Sequence, residues 1–186
     1  MAKLVIVTGA SRGLGLAICR QLLAAGYEVL ALARSLSNEL QQLQLQVLEI
    51  PAGQDGMDIT ALQQALSNWP IKACVVTPAY ATPTGACMPP ARQQQLLALA
   101  STYDLAIIED DIYGDLGFHQ RPKPLKSLDT QDRVMLCSSF SKSLSRDLRI
   151  GWIAAGRWSK AVARLKLVSQ LASSQAMQQA CSTLQQ

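Results

Sequence analysis

The sequence predicts an α/β protein, a three-layer α/β/α sandwich on a mainly parallel sheet of about seven strands. Three observations lead there. Short apolar runs recur along the chain, each closed by a turn residue and followed by a segment whose apolar positions have helical spacing. Several runs, such as Leu105 to Ile108, are apolar at successive positions, as strands covered on both faces are. Hydrophobic residues make up 49% of the 186 positions, which supports a packed core and excludes a chain that is mainly disordered.

In order, residues 3–8 read as a strand ending at Gly9, and residues 14–25 as a helix ended by Gly26. Glu28 to Ala33 reads as a second strand, residues 36–44 as a short Gln/Leu helix, and Gln46 to Ile50 as a third strand stopped by Pro51. Asp58 can cap a helix through Ser67, because its carboxylate can accept from the free amides of a first turn. Ala73 to Thr77 is a strand, 90–101 a helix and Leu105 to Glu109 a buried strand. Val134 to Ser138 and Ile150 to Ala154 follow as strands, and one amphipathic helix is expected from Arg157 to Gln179. Length favours a single domain over residues 1–186, since a domain takes about 100–200 residues.

Composition narrows the function classes. Cys19, Cys74, Cys87, Cys137 and Cys181 are scattered, with no Cys-x-x-Cys pair and only His119 as a histidine, which argues against zinc and a disulfide framework. No metal site is expected. Apolar runs fall well short of the roughly 18 residues of a membrane span, and the first run breaks at Thr8 to Arg12, too early for a signal peptide. A cytoplasmic protein with no membrane partner is expected. The net charge of +4 is concentrated after residue 141, where Arg157, Lys160 and Arg164 share helical spacing. They read as a solvated helix face, so nucleic acid is not expected as a partner.

Ligands of such sheets bind beyond the carboxyl ends of the strands, and the residues there form two sets. The first is Thr8-Gly9-Ala10-Ser11-Arg12-Gly13-Leu14-Gly15, between a strand and a helix, where glycines allow a tight turn and free amides can take phosphate. With Arg34 it resembles the start of the short-chain dehydrogenase/reductase family over residues 1–35. That resemblance implies NADP(H) at Gly9, Ser11, Arg12, Gly13, Gly15 and Arg34. The family's catalytic pair, a tyrosine with lysine four positions on, has no match: Tyr27, Tyr80, Tyr103 and Tyr113 are followed at that distance by Ala31, Thr84, Ile107 and Gly117. Hydride transfer is therefore not expected.

The second set is Pro83-Thr84-Gly85, Glu109-Asp110-Asp111-Ile112-Tyr113-Gly114, Ser138-Ser139-Phe140-Ser141-Lys142-Ser143 and Leu148-Arg149-Ile150-Gly151-Trp152. In order and approximate spacing, from residue 46 on, these resemble the fold-type I pyridoxal 5′-phosphate (PLP) enzymes, and in particular the aminotransferase-like domain of GntR/MocR-type bacterial regulators. The resemblance implies that Lys142 holds the PLP aldehyde covalently and that Asp110 keeps the pyridine nitrogen protonated. It further implies that Tyr113 hydrogen-bonds the ring oxygen and that Ser139 and Arg149 contact the phosphate. Thr82 stands where many members carry asparagine or an aromatic residue beside the ring. It also implies that the strand near Ile150 runs antiparallel.

Two resemblances in one sheet lead to an expectation of a chimera, engineered or recombined, joining 1–45 to 46–186. The family's phosphate-binding turn, its small domain and a DNA-binding segment are not recognised in the sequence, so the expected product is a scaffold without a complete active site. Residual PLP binding through Lys142 is the chemistry expected of it. An NADP(H)-binding module without turnover is the first alternative, and a PLP-dependent aminotransferase the second. Val162, Leu165 and Val168 on the last helix need cover, which implies a homodimer through that face.

Overall fold

A computed structural model describes residues 3–8, 24, 27–32, 48–118 and 120–184. Apart from residue 24, the expected helices at 14–25 and 36–44 lie outside these residues. Strands β1 (Lys3–Thr8) and β2 (Tyr27–Leu32) pair in parallel, Lys3 opposite Tyr27 and Thr8 opposite Leu32. The larger sheet has the order β5 (Ala73–Val76), β6 (Ala106–Asp110), β7 (Val134–Ser139), β8 (Gly151–Ala154). β5, β6 and β7 are parallel, and β8 runs antiparallel to β7 as expected. β1 lies beside β5.

Burial follows from the pattern of the strands. All four residues of β5 are buried, and since successive side chains leave opposite faces, both faces of that strand are covered. β7 alternates, with Val134, Leu136 and Ser138 buried, and β8 is largely exposed at the edge of the sheet. Helix α1 (Ile59–Asn68) starts at Asp58, whose Oδ1 accepts from the amides of Thr60 at 2.9 Å and Ala61 at 3.1 Å. Its Leu62, Ala65 and Leu66 are buried at helical spacing. Helix α2 (Pro90–Thr102) opens with proline, which has no amide to leave unpaired, and buries Leu96 and Ala100. These side chains join Val75, Ile107, Leu125 and Val134 in one core. Burial of each large member is worth about 1.5–3 kcal/mol.

Two expected elements differ. Leu48 to Ile50 form no strand, and a small antiparallel pair follows instead, β3 (Ala52–Gly53) and β4 (Gly56–Met57). Gly56 has φ +78°, which suits glycine, and the Asp58 amide closes the segment by donating to the Pro51 carbonyl at 2.8 Å. The single helix expected over 157–179 is interrupted. A 3₁₀ turn (Gly156–Trp158) precedes α4 (Ser159–Gln170), Leu171 takes φ +57°, and α5 (Gln175–Leu184) begins afresh. Ser173 and Ser174 explain the break. Ser174 Oγ accepts from the Met177 amide at 3.4 Å and the Ser173 carbonyl accepts from Gln178 Nε2 at 3.1 Å, so two serines start a new helix instead of continuing the old one.

Candidate cofactor site

The carboxyl ends of β6 and β7 carry most of the second set. Asp110 ends β6 and sits opposite Cys137 of β7. Ser139 ends β7 and caps the one-turn helix α3 (Phe140–Ser143), its Oγ accepting from the Ser141 amide at 3.1 Å. That cap carries Lys142 back toward the turn after β6, where its Nζ lies 5.8 Å from the centre of the Tyr113 ring. Within about 6 Å a ring face attracts an ammonium group. Arg149, at φ +50°, reaches Ser141 Oγ from Nη1 at 3.5 Å. Lys142, Tyr113, Ser139 and Arg149 are thus linked across two strand ends.

Sequence reading missed Ser141. The hydroxyl of Ser139 is engaged locally, since it also donates to the Ile150 carbonyl at 3.2 Å, whereas Ser141 is the hydroxyl beside Arg149. The repeated serine of Ser139-Phe140-Ser141-Lys142 was the available signal. Thr82 lies on the β5–α2 loop and lines an open cavity of about 300 Å³ with Tyr80, Pro83, Tyr113 and Leu116. Tyr113 therefore belongs both to this cavity and to the Lys142 contact. Gly9, Ser11, Arg12, Gly13, Gly15 and Arg34 lie outside the described residues.

Glu109 and Asp110 end β6 and Asp111 follows it, and alternation continued through this residue puts Glu109 and Asp111 on one face and Asp110 on the other. Glu109 and Asp111 are each 1% exposed, while Asp110 is half-buried. Glu109 accepts from the amides of Leu125 at 2.6 Å and Lys126 at 2.8 Å, and Asp111 is paired with Arg121. Asp110 accepts only from the Ile112 amide, at 3.4 Å, among the described residues. Burial first, and then the charge of Asp111, holds the Asp110 carboxyl above the usual range. Two of the three carboxylates have partners within the fold, and Asp110 has only the Ile112 amide among the described residues.

The family model for aminotransferase class I and II matches residues 2–186. The chain belongs to this family. Among curated proteins it is 42% identical over 129 residues to the uncharacterized HTH-type transcriptional regulator YjiR of Escherichia coli, covering 68% of this chain and 27% of that one. It is 38% identical over 114 residues to aromatic-amino-acid aminotransferase 1 of Thermococcus litoralis, covering 58% and 27%. Among solved structures it resembles an archaeal alanine:glyoxylate aminotransferase, with a TM-score of 0.69 at 26% identity over 93% of this chain and 40% of that one. A Pyrococcus horikoshii kynurenine aminotransferase in complex with PMP gives 0.68 at 26% identity, covering 92% and 39%. The chain thus spans under a third of the curated relatives' length.

These findings correct the chimera expectation. The match begins at residue 2 and takes in residues 2–35, so one family accounts for the chain without a join. A short glycine motif of the kind that suggested a dehydrogenase is shared by many phosphate-binding sequences and does not identify a family. NADP(H) binding and the scaffold reading are not retained. Since relatives are named as HTH-type regulators, the expectation that nucleic acid is no partner is not retained either. Among the described residues, no helix is long and apolar enough to cross a membrane.

The family is PLP-dependent, and the side chains at hand suit that group. An amine beside a phenol, a carboxylate without a charged partner among the described residues, and a guanidinium with a hydroxyl are the donor and acceptor types that an aldehyde, a pyridine nitrogen and a phosphate require.

Proposed function

We propose that this chain is the cofactor-binding part of a PLP-dependent aminotransferase acting on amino acids. The observation that carries this reading is the approach of the Lys142 amine to the Tyr113 ring beside the strand end that holds Asp110. Lys142 would hold the cofactor aldehyde, and its amine, once released, would take and return a proton at the substrate carbon. Asp110 would pair with the protonated pyridine nitrogen, and that cation would offset the burial that now disfavours its charged form. Tyr113 would donate to the ring oxygen, and Thr82 would border the ring from the opposite loop. Ser139, Ser141 and Arg149 would serve the phosphate. Bound there, the cofactor supplies an electron sink for bond breaking next to an amine.

A second reading, cofactor-dependent sensing instead of turnover, is favoured by the 42% and 40% identity to proteins named as HTH-type regulators. Adding PLP should give a visible absorption band that Lys142→Ala abolishes. Formation of 2-oxo acid from amino acids would support transamination, a band without 2-oxo acid would support sensing, and a band that survives Lys142→Ala would refute both.

A further inference from the structure

The turn that presents Tyr113 is held by one guanidinium at both ends. Arg121 pairs through Nη2 with Asp111 Oδ2 and donates from Nε to Asp115 Oδ1 at 2.5 Å, while Nη1 reaches the Pro122 carbonyl at 3.3 Å. Asp111 and Asp115 stand two residues before and two after Tyr113. The first end is anchored again by β7, because the Asp111 amide donates to the Cys137 carbonyl at 2.9 Å and Ser138 Oγ donates to the Asp111 carbonyl at 3.1 Å. Among the described residues, the second end has no such anchor to β7. Asp115 is exposed, and Arg121 is its ion-pair partner among the described residues. Asp111 Oδ1 is buried without a hydrogen-bond partner among the described residues, so Arg121 also supplies the charge that allows this carboxylate to be buried.

We propose that Arg121 is a positioning residue, which fixes the Tyr113 phenol and the neighbouring Asp110 carboxylate toward the cofactor by bridging Asp111 and Asp115. The proposal rests on the reading of Lys142, Asp110 and Tyr113 given above. Arg121 acts through the turn, and a planar fork is what two carboxylates on either side of it require. Among the titratable groups on the neighbouring elements, Glu109 precedes Asp110 on β6, Asp111 follows it and pushes its carboxyl up, Cys137 lies opposite it on β7, Asp115 and Lys126 lie further along the chain, and Lys142 is on α3. Of these, Asp111 and Asp115 are the ones Arg121 contacts.

Arg121→Lys keeps the charge and loses the fork, so it tests position with the fold retained. The readout is the pH midpoint of the visible absorption of PLP bound to the full chain. A phenol donating to the ring oxygen favours the deprotonated form, so a loosened turn should raise the midpoint by about half a pH unit or more, roughly threefold in proton affinity. Tyr113→Phe should raise it further, and Arg121→Lys should add nothing in the Tyr113→Phe background. Asp115→Asn, which cuts the far anchor at an exposed residue, should shift it in the same direction even where Arg121→Lys fails to fold. A lower melting temperature with an unmoved midpoint, or shifts that simply add, would overturn the proposal. Absence of any band in the unaltered chain would instead overturn the cofactor reading and this proposal with it.

Discussion

Gly114 follows Tyr113 and leaves no room for a side chain. A Cβ there would collide with Asp111 Oδ1, and would stand 2.9 Å from Asp111 Cγ and 3.0 Å from Arg121 Nη2. Asp111 is 1% exposed and cannot swing into solvent, so Gly114→Ala must either displace the turn or push the carboxylate off Arg121. Forcing a methyl into a packed site costs about 1–3 kcal/mol. Breaking a fully buried pair costs about 3–5 kcal/mol. The second figure is discounted here because the Arg121 side chain is 37% exposed. A loss of about 2–4 kcal/mol follows, out of the roughly 5–15 kcal/mol that hold a domain together. Burial above all holds the Asp111 carboxyl above its usual range, with Arg121 opposing, so the folded state keeps this proton longer than the unfolded state does. Stability from this group therefore falls as pH rises from the unfolded value through the folded one, and separation from Arg121 extends that window upward. Urea unfolding at about pH 5 and about pH 8 should show the larger loss at the higher pH. Gly53→Ala is the control, since nothing lies within 4 Å of a Cβ there. A Gly114→Ala variant within about 0.5 kcal/mol of that control, or one hurt more in acid, would refute the reasoning.

Other outcomes follow from the same structure. Leu96 is fully buried in the core, so Leu96→Ala should cost about 2–5 kcal/mol in urea unfolding, and a loss under about 1 kcal/mol would mean the helix does not pack as described. Burial pushes the Cys74 thiol up to about 12 and the Cys137 thiol, which also feels Asp110 and Glu109, up to about 11, whereas Cys87 is exposed. Among these cysteines, mass spectrometry after brief alkylation in the native state should find Cys87 modified first; early modification of Cys74 would contradict its burial. On α4, Leu165 is 46% and Val168 is 78% exposed, an apolar surface that a second copy would cover. Light scattering should report a dimer that Val168→Ser weakens, and a monomeric mass at high concentration would rule the association out.

Much of the fold was legible because its signals are local. Ala73 to Val76, Ala106 to Asp110 and Val134 to Ser139 are apolar runs bounded by turns, and the Asp58 cap announces α1 within one turn. The break at Leu171 was hidden, because apolar spacing continues through it and the outcome depends on competition between helix propagation and capping by Ser173 and Ser174. At the site, Lys142 and Tyr113 were named from the sequence and meet in space. Arg121 was not, since no local pattern ties a loop arginine to carboxylates six and ten residues earlier. The glycine turn at 9–15 misled for the opposite reason, its physics being common to many phosphate-binding folds.

The central claim is that Lys142 is the cofactor lysine. Borohydride reduction of the PLP-treated chain, followed by peptide mass mapping, should place the phosphopyridoxyl label on Lys142 alone, with labelling strongly reduced in Asp110→Ala. Label scattered over exposed lysines, or indifferent to Asp110→Ala, would contradict the account.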